Sequence, residues 1–187
     1  MYACRTNGPE PETVSLTDQE KNDLLFLREE EKLARDVYLY AYDQYGLQIF
    51  SNIAGSEQRH MDQVLALLTK YGLEDPASPN RGEFSHAELQ TLYNDLTAIV
   101  DSSQTDALWV GATIEDLDIH DITTFESHTD KQDLLDVYAR LTCGSRNHMR
   151  NFYRELQAVG VTYTAQYISQ QELDEIVNSS NERCGGQ

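Results

Sequence analysis

The sequence predicts an all-α protein, a bundle of four long helices with an extra short helix in a long crossover between the second and the third. Three observations carry this. Apolar residues recur at helical spacing through four long stretches. Residues that cap or stop helices stand at the ends of those stretches. The links are short inside each pair of helices and long between the pairs, which is a bundle connectivity.

Thr17 or Asp18 followed by Glu20 opens the first helix, and Leu24, Leu27, Ala34, Tyr38, Ala41 and Tyr45 form its apolar stripe before Gly46 stops it. A second helix over about 51–71 carries Ile53, Val64, Leu67, Leu68 and Tyr71 and ends at Gly72, making an antiparallel hairpin with the first. The connection over 74–82 holds Pro76, Pro79 and Gly82, after which Ser85 opens the short helix with Leu89, Leu92, Leu96 and Val100. Thr105 or Asp106 caps the third long helix, and Asp130 or Lys131 begins the fourth, which Gly160 closes. The organisation is thus a tether over 1–16, a bundle over 17–160 and a tail over 161–187. The tail has a possible short helix over 170–177, and residues 179–187 read as loose.

The 187 residues suit one domain with a sizeable core. Acidic side chains number 32 against 14 basic ones, a net charge of -18, which repels phosphate backbones and excludes nucleic acid as a general partner. The same field attracts cations. No apolar run is long enough to span a bilayer, so the chain as given reads as soluble, either cytoplasmic or exported. Ala3-Cys4 before a polar, Pro-containing stretch would fit the remnant of a trimmed lipoprotein signal. The three cysteines form no Cys-x-x-Cys pair, which excludes a zinc ribbon or a rubredoxin-like iron centre. Cys4 and Cys184 lie in polar tails where they could pair, and Cys143 reads as a buried small hydrophobe.

Ionisable residues that interrupt the apolar stripes are the functional signal, because an unpaired buried carboxylate costs several kcal/mol unless it is neutralised or binds a cation. Glu31 lies on the first stripe, whereas Glu29 and Glu30 read as less inward. Glu57 and His60 lie three apart between Ile53 and Val64, a metal-ligand spacing. The third long helix brings Glu115 and Asp118, and the fourth brings Ser145 and His148. Asp36, His86, His120 and His128 read as surface or cap residues. Carboxylates with two imidazoles favour iron, manganese or a mixed pair, and two ions would share bridging carboxylates. The alternative is a metal-free core in which these groups are paired structurally.

Glu31-x-x-Ala34-Arg35-x-x-Tyr38 and Glu57-Gln-Arg-His60 resemble the first half of a rubrerythrin-type di-iron bundle. With REEEKLARDVY, SEQRHM, GATIEDLDI and GSRNHMRNF, residues 17–160 also resemble an uncharacterised ferritin-like family of bacteria and archaea. The resemblance implies a ferritin-like fold with two iron ions per chain. Glu31, Glu57, His60, Glu115 and His148 would be ligands, Glu57 and Glu115 the bridges, and Asp118 an additional carboxylate. Where the family pattern has Glu-x-x-His, this chain has Ser145-x-x-His148, which puts one metal position in doubt. Tyr38 would bond a ligand carboxylate. The implied activity is that of an oxidoreductase reacting with peroxide or oxygen, drawing electrons from a separate donor, with non-catalytic metal binding or storage as the alternative. A homodimer or higher homo-oligomer is the default assembly.

Overall fold

The computed structural model describes residues 15–185. Among them are six helices and no strand: α1 (Asp18–Tyr45), α2 (Gln48–Lys70), α3 (Ala87–Val100), α4 (Gln104–Glu126), α5 (Gln132–Ala158) and α6 (Gln170–Val177). Local chemistry sets the ends. Thr17 and Glu20 form a reciprocal capping box at the start of α1, and Gly46, at φ +67°, ends it in the left-handed conformation that glycine adopts at little cost. The expected start of α4 shifts slightly, since the cap is Ser103, whose hydroxyl accepts the Asp106 N–H, and not Thr105 or Asp106.

α1 packs on α2 and α4 on α5, and the two hairpins join through α1–α4 and α2–α5 contacts. The crossover helix α3 rests on α1 and α4, and α6 rests on α5. No helix among the described residues is long and apolar enough to cross a membrane.

The apolar interior falls into two separate clusters. One holds Leu33, Ala34, Ile53, Ala112 and Phe152 with α3, α6 and Tyr163. The other holds Leu24, Leu27, Val64, Ile122 and Leu141. On all four long helices the sequence passes from one cluster to the other through ionisable residues, so a polar layer crosses the bundle between two dry halves.

Several expectations are corrected by segments that wrap the bundle. Glu29, Glu30 and Asp36 are buried, and the crossover lies over Glu29 and Asp36 on the outer face of α1. Glu29 accepts the Ser85 and His86 backbone N–H groups at 2.6 and 2.9 Å, and Arg28 grips Asp75 through two bonds. The tail is fastened as well: Glu182 pairs with Arg146 and Arg150, and Asn147 bonds the Glu182 backbone. Cys184 is disulfide-bonded to Cys143, so Cys143 is not a free thiol in the core. Cys4, the other partner considered for Cys184, lies outside the described residues.

Candidate metal centre

Ten carboxylates are buried in the described chain, and their partners divide them sharply. Glu20, Asp23, Glu29, Asp36 and Asp116 are satisfied by protein. Glu20, for example, is held by Lys131 and Thr129, and Asp116 takes the Tyr163 hydroxyl and the backbone N–H groups of Gln166 and Ile168. Glu30, Glu31, Glu57, Glu115 and Asp118 are the other five, and each keeps at least one buried oxygen without a hydrogen-bond partner. All five belong to the polar layer.

The layer is assembled by helical spacing. Glu57 and His60, one turn apart on α2, put the His60 Nδ1 at 2.8 Å from Glu57 and 3.1 Å from Glu31 of α1. From α5, His148 Nδ1 comes to 2.8 Å from Glu57 and 3.4 Å from Glu115 of α4. Two groups of potential ligand atoms result, Glu31–Glu57–His60 and Glu57–Glu115–His148, with the atoms of each within 4.8 Å of one another. Metal–oxygen and metal–nitrogen bonds of roughly 2.1 Å require separations of about this size or less. Glu57 is common to both groups, and the two imidazoles face each other with centroids 5.6 Å apart. Glu115, the other bridge implied by the resemblance, joins one group only.

The contacts around Glu57 have hydrogen-bond lengths without hydrogen-bond alignment. Both Glu57 oxygens and the His148 Nδ1 remain unpartnered despite the 2.8 Å approach. A cation between them would satisfy these misaligned donor atoms. Arginines do not do so: Arg35 bonds Asp36 and Gln58, Arg146 bonds Glu182, and Arg59 is exposed. The residues present therefore fit a metal ion, with two overlapping groups of donors that could hold one.

The remaining residues singled out in the sequence take varied places. Tyr38 donates from its buried hydroxyl to Glu115 at 2.5 Å, orienting that carboxylate. Asp118 is buried in the layer but belongs to neither three-atom group. The Ser145 hydroxyl turns back to the Leu141 carbonyl of its own helix at 3.2 Å. His86, His120 and His128 lie outside the layer. Two contributors went unseen in the sequence. Glu30 is 1% exposed with both oxygens orphaned. Gly144 packs against the imidazole of His60, and a Cβ there would lie 2.5 Å from Nε2, so only glycine lets α5 approach this closely. A surface cavity of about 330 Å³ is lined by His60 and His148 together with Ser56, Gly144, Asn147 and Cys184.

Without metal, the layer titrates far from ordinary values. Burial, opposed by His60 and reinforced by Glu57, lifts Glu31 to about 7. Burial also raises Glu115, and together with Glu30 and the other layer carboxylates it raises Asp118 well above the carboxylate range. Glu57 moves down, because His148 and His60 outweigh its burial. His148, against its burial, is pushed up to about 10 by Glu57 and Glu115. An acid with a raised value holds a proton in the folded chain that the unfolded chain has already released, so its contribution to stability falls as pH rises from about 4.5 through 7. The histidine contribution is complete below 6.5 and is lost as pH rises through about 10. Metal binding needs these groups deprotonated and strengthens over the same interval. The metal-free protein should therefore lose stability between about pH 5 and pH 8 while metal affinity rises. Denaturant titrations with and without metal check both slopes.

Residues 20–180 match the family described as Uncharacterized protein domain (DUF2202). The chain belongs to this family. A DUF2202 relative by similarity is the Methanocaldococcus jannaschii protein MJ0754, 52% identical over 169 residues that make up 90% of this chain and 91% of that protein. The crystal structure of hypothetical protein MJ0754 from Methanococcus jannaschii DSM 2661 superposes with a TM-score of 0.89 at 50% identity, covering 92% of this chain and 99% of that one. Neither name carries an activity, so the chemistry of this DUF2202 chain rests on its buried layer.

Proposed function

We propose that this chain is a ferritin-like bundle whose polar layer holds two iron ions and that it acts as an oxidoreductase toward peroxide or oxygen, in the manner of a peroxidase or ferroxidase. The observation that carries the reading is the sorting of the buried acids: those away from the layer are satisfied by protein, and those within it each keep at least one buried oxygen without a partner. Glu31, Glu57 and His60 would hold one ion and Glu57, Glu115 and His148 the other, with Asp118 adding charge beside them. Manganese or a mixed pair suits the same donors. Bound iron would supply the redox chemistry with oxygen or peroxide.

The chain's own part is placement and exclusion. Glu57 is held at the meeting point of α1, α2, α4 and α5, Tyr38 fixes Glu115, and Gly144 seats His60. The two apolar clusters keep bulk water from the layer along the bundle axis. A small oxidant would approach on the histidine side. Electrons would come from an external donor, since the sequence encodes no cysteine-bound iron centre. The Cys143–Cys184 disulfide favours the exported alternative for location, because such bonds persist in oxidising compartments.

Ser145 supports a second reading, metal binding without turnover, because it removes a carboxylate from α5 and turns its hydroxyl inward to the helix. Elemental analysis after ferrous reconstitution tests the metal, and peroxide consumption with a reductant separates the two readings. About two iron per chain is expected, falling to near none in the Glu57→Ala, His60→Ala variant. A parent protein that takes up no metal would sink both.

A further inference from the structure

We propose that the cavity between α2 and α5 is a binding site for a small oxygen anion, a carboxylate or an inorganic oxyanion, held by Arg59 and Arg140 beside His60 and His148.

The arginines of this acidic chain motivate it. Arg28, Arg35, Arg81, Arg146 and Arg150 each hold a carboxylate. Arg59 and Arg140 form no ion pair among the described residues, although the chain has 32 acidic side chains for 14 basic ones, and both line the same cavity. Helical spacing puts them there. Arg59 and Gln63 lie one turn apart on α2, and Arg140 stands one turn before Gly144 on α5. The Arg140 Nε donates to the Gln63 side-chain oxygen at 2.9 Å, which orients the guanidinium and leaves its two terminal nitrogens for a ligand.

The rest of the lining suits the same guest. It contains no carboxylate, and Ser56 adds a hydroxyl on the α2 side. Both histidines turn Nδ1 into the polar layer, toward Glu31, Glu57 and Glu115, so the outer edges of the rings are left to border the cavity. A guanidinium fork matches the paired oxygens of a carboxylate or oxyanion. The volume of about 330 Å³ is at the small end of ligand sites, which run from roughly 300 to 1,000 Å³. The net charge of -18 opposes an anion at long range. That field is screened beyond about 8 Å at physiological salt, however, and what borders the cavity is two guanidiniums and no acid. The arginines are not metal ligands, so the site is independent of the metal-centre reading. Beside a loaded centre it would favour an anionic substrate over a cationic one.

Calorimetric titration of benzoate and of inorganic phosphate at constant ionic strength, before and after chelation of metal, is the test. A single anion per chain should bind in both states, and the tighter of the two probes assigns an organic or an inorganic source. Arg59→Gln and Arg140→Gln should each weaken binding about tenfold. Arg154→Gln, an exposed arginine outside the cavity, should leave it unchanged. Binding of neither probe, or equal weakening in all three variants, would overturn the site. So would binding that requires metal and ignores Arg59→Gln and Arg140→Gln, since the anion would then sit on the metal. A protein that binds the anion through these arginines yet takes up no metal would keep this site and sink the centre instead.

Discussion

Stripping metal from the loaded protein should lower its melting temperature by about 15 °C or more. The layer concentrates Glu30, Glu31, Glu57, Glu115 and Asp118 in one cross-section of the bundle, with His60 and His148 as the basic groups in contact with them. A ligand that binds only the folded state, present at a thousandfold excess over its Kd, contributes about 4 kcal/mol, so two such ions contribute about 8 kcal/mol. For a domain of this length each kcal/mol is worth about 2–4 °C. Calorimetry before and after chelation measures the shift. In Glu57→Gln the shift should nearly vanish, because Glu57 is the one residue that both groups share. A parent protein that releases its metal and melts unchanged would mean that the layer is not stabilised by cations.

The four long helices and the inward positions of Glu31, Glu57, His60, Glu115, Asp118 and His148 were legible because periodicity and capping are local signals. Each of those six residues sits on a stripe whose apolar members identify the buried face. Glu30 was not legible, because α1 is buried all round from residue 27 to residue 34, and no stripe marks a face when every face is covered. Part of that cover is the crossover, a Pro- and Gly-punctuated segment whose periodicity says nothing about where it lies. The same covering buries Glu29, Lys32 and Asp36. The tail was misread for a related reason: its anchors, Glu182 and Cys184, depend on Arg146, Asn147, Arg150 and Cys143, each more than thirty residues away. Cysteine count alone does not select among pairings. At Ser145 the sequence identified a departure, and the bond to the Leu141 carbonyl is how the helix accommodates it.

Asp36→Ala should destabilise the fold by about 3–5 kcal/mol, the loss typical when one partner of a buried ion pair is removed. Lys32 and Asp36 are both fully buried one turn apart on α1, with Nζ to Oδ2 at 2.5 Å. The ammonium also donates to the backbone carbonyls of Asn80 and Glu83 and lies 4.3 Å from the centre of the Phe84 ring. Asp36 receives the Gly82 N–H at 2.9 Å and the Arg35 guanidinium. Without Asp36 the ammonium keeps only carbonyl partners for a full buried charge, and the Gly82 turn loses its anchor. Lys32→Met should cost less, since Asp36 would retain Arg35 and the Gly82 N–H, while the methionine keeps a similar length of apolar chain against Phe84. Urea denaturation of the metal-free proteins ranks the two. Because this pair faces the crossover and contributes no atom to either ligand group, metal per folded chain should stay at the parental value in both variants. Loss of stability at constant stoichiometry would mark Asp36 as part of the wrapping that buries the layer, and loss of metal in proportion to stability would instead make the crossover part of the centre itself.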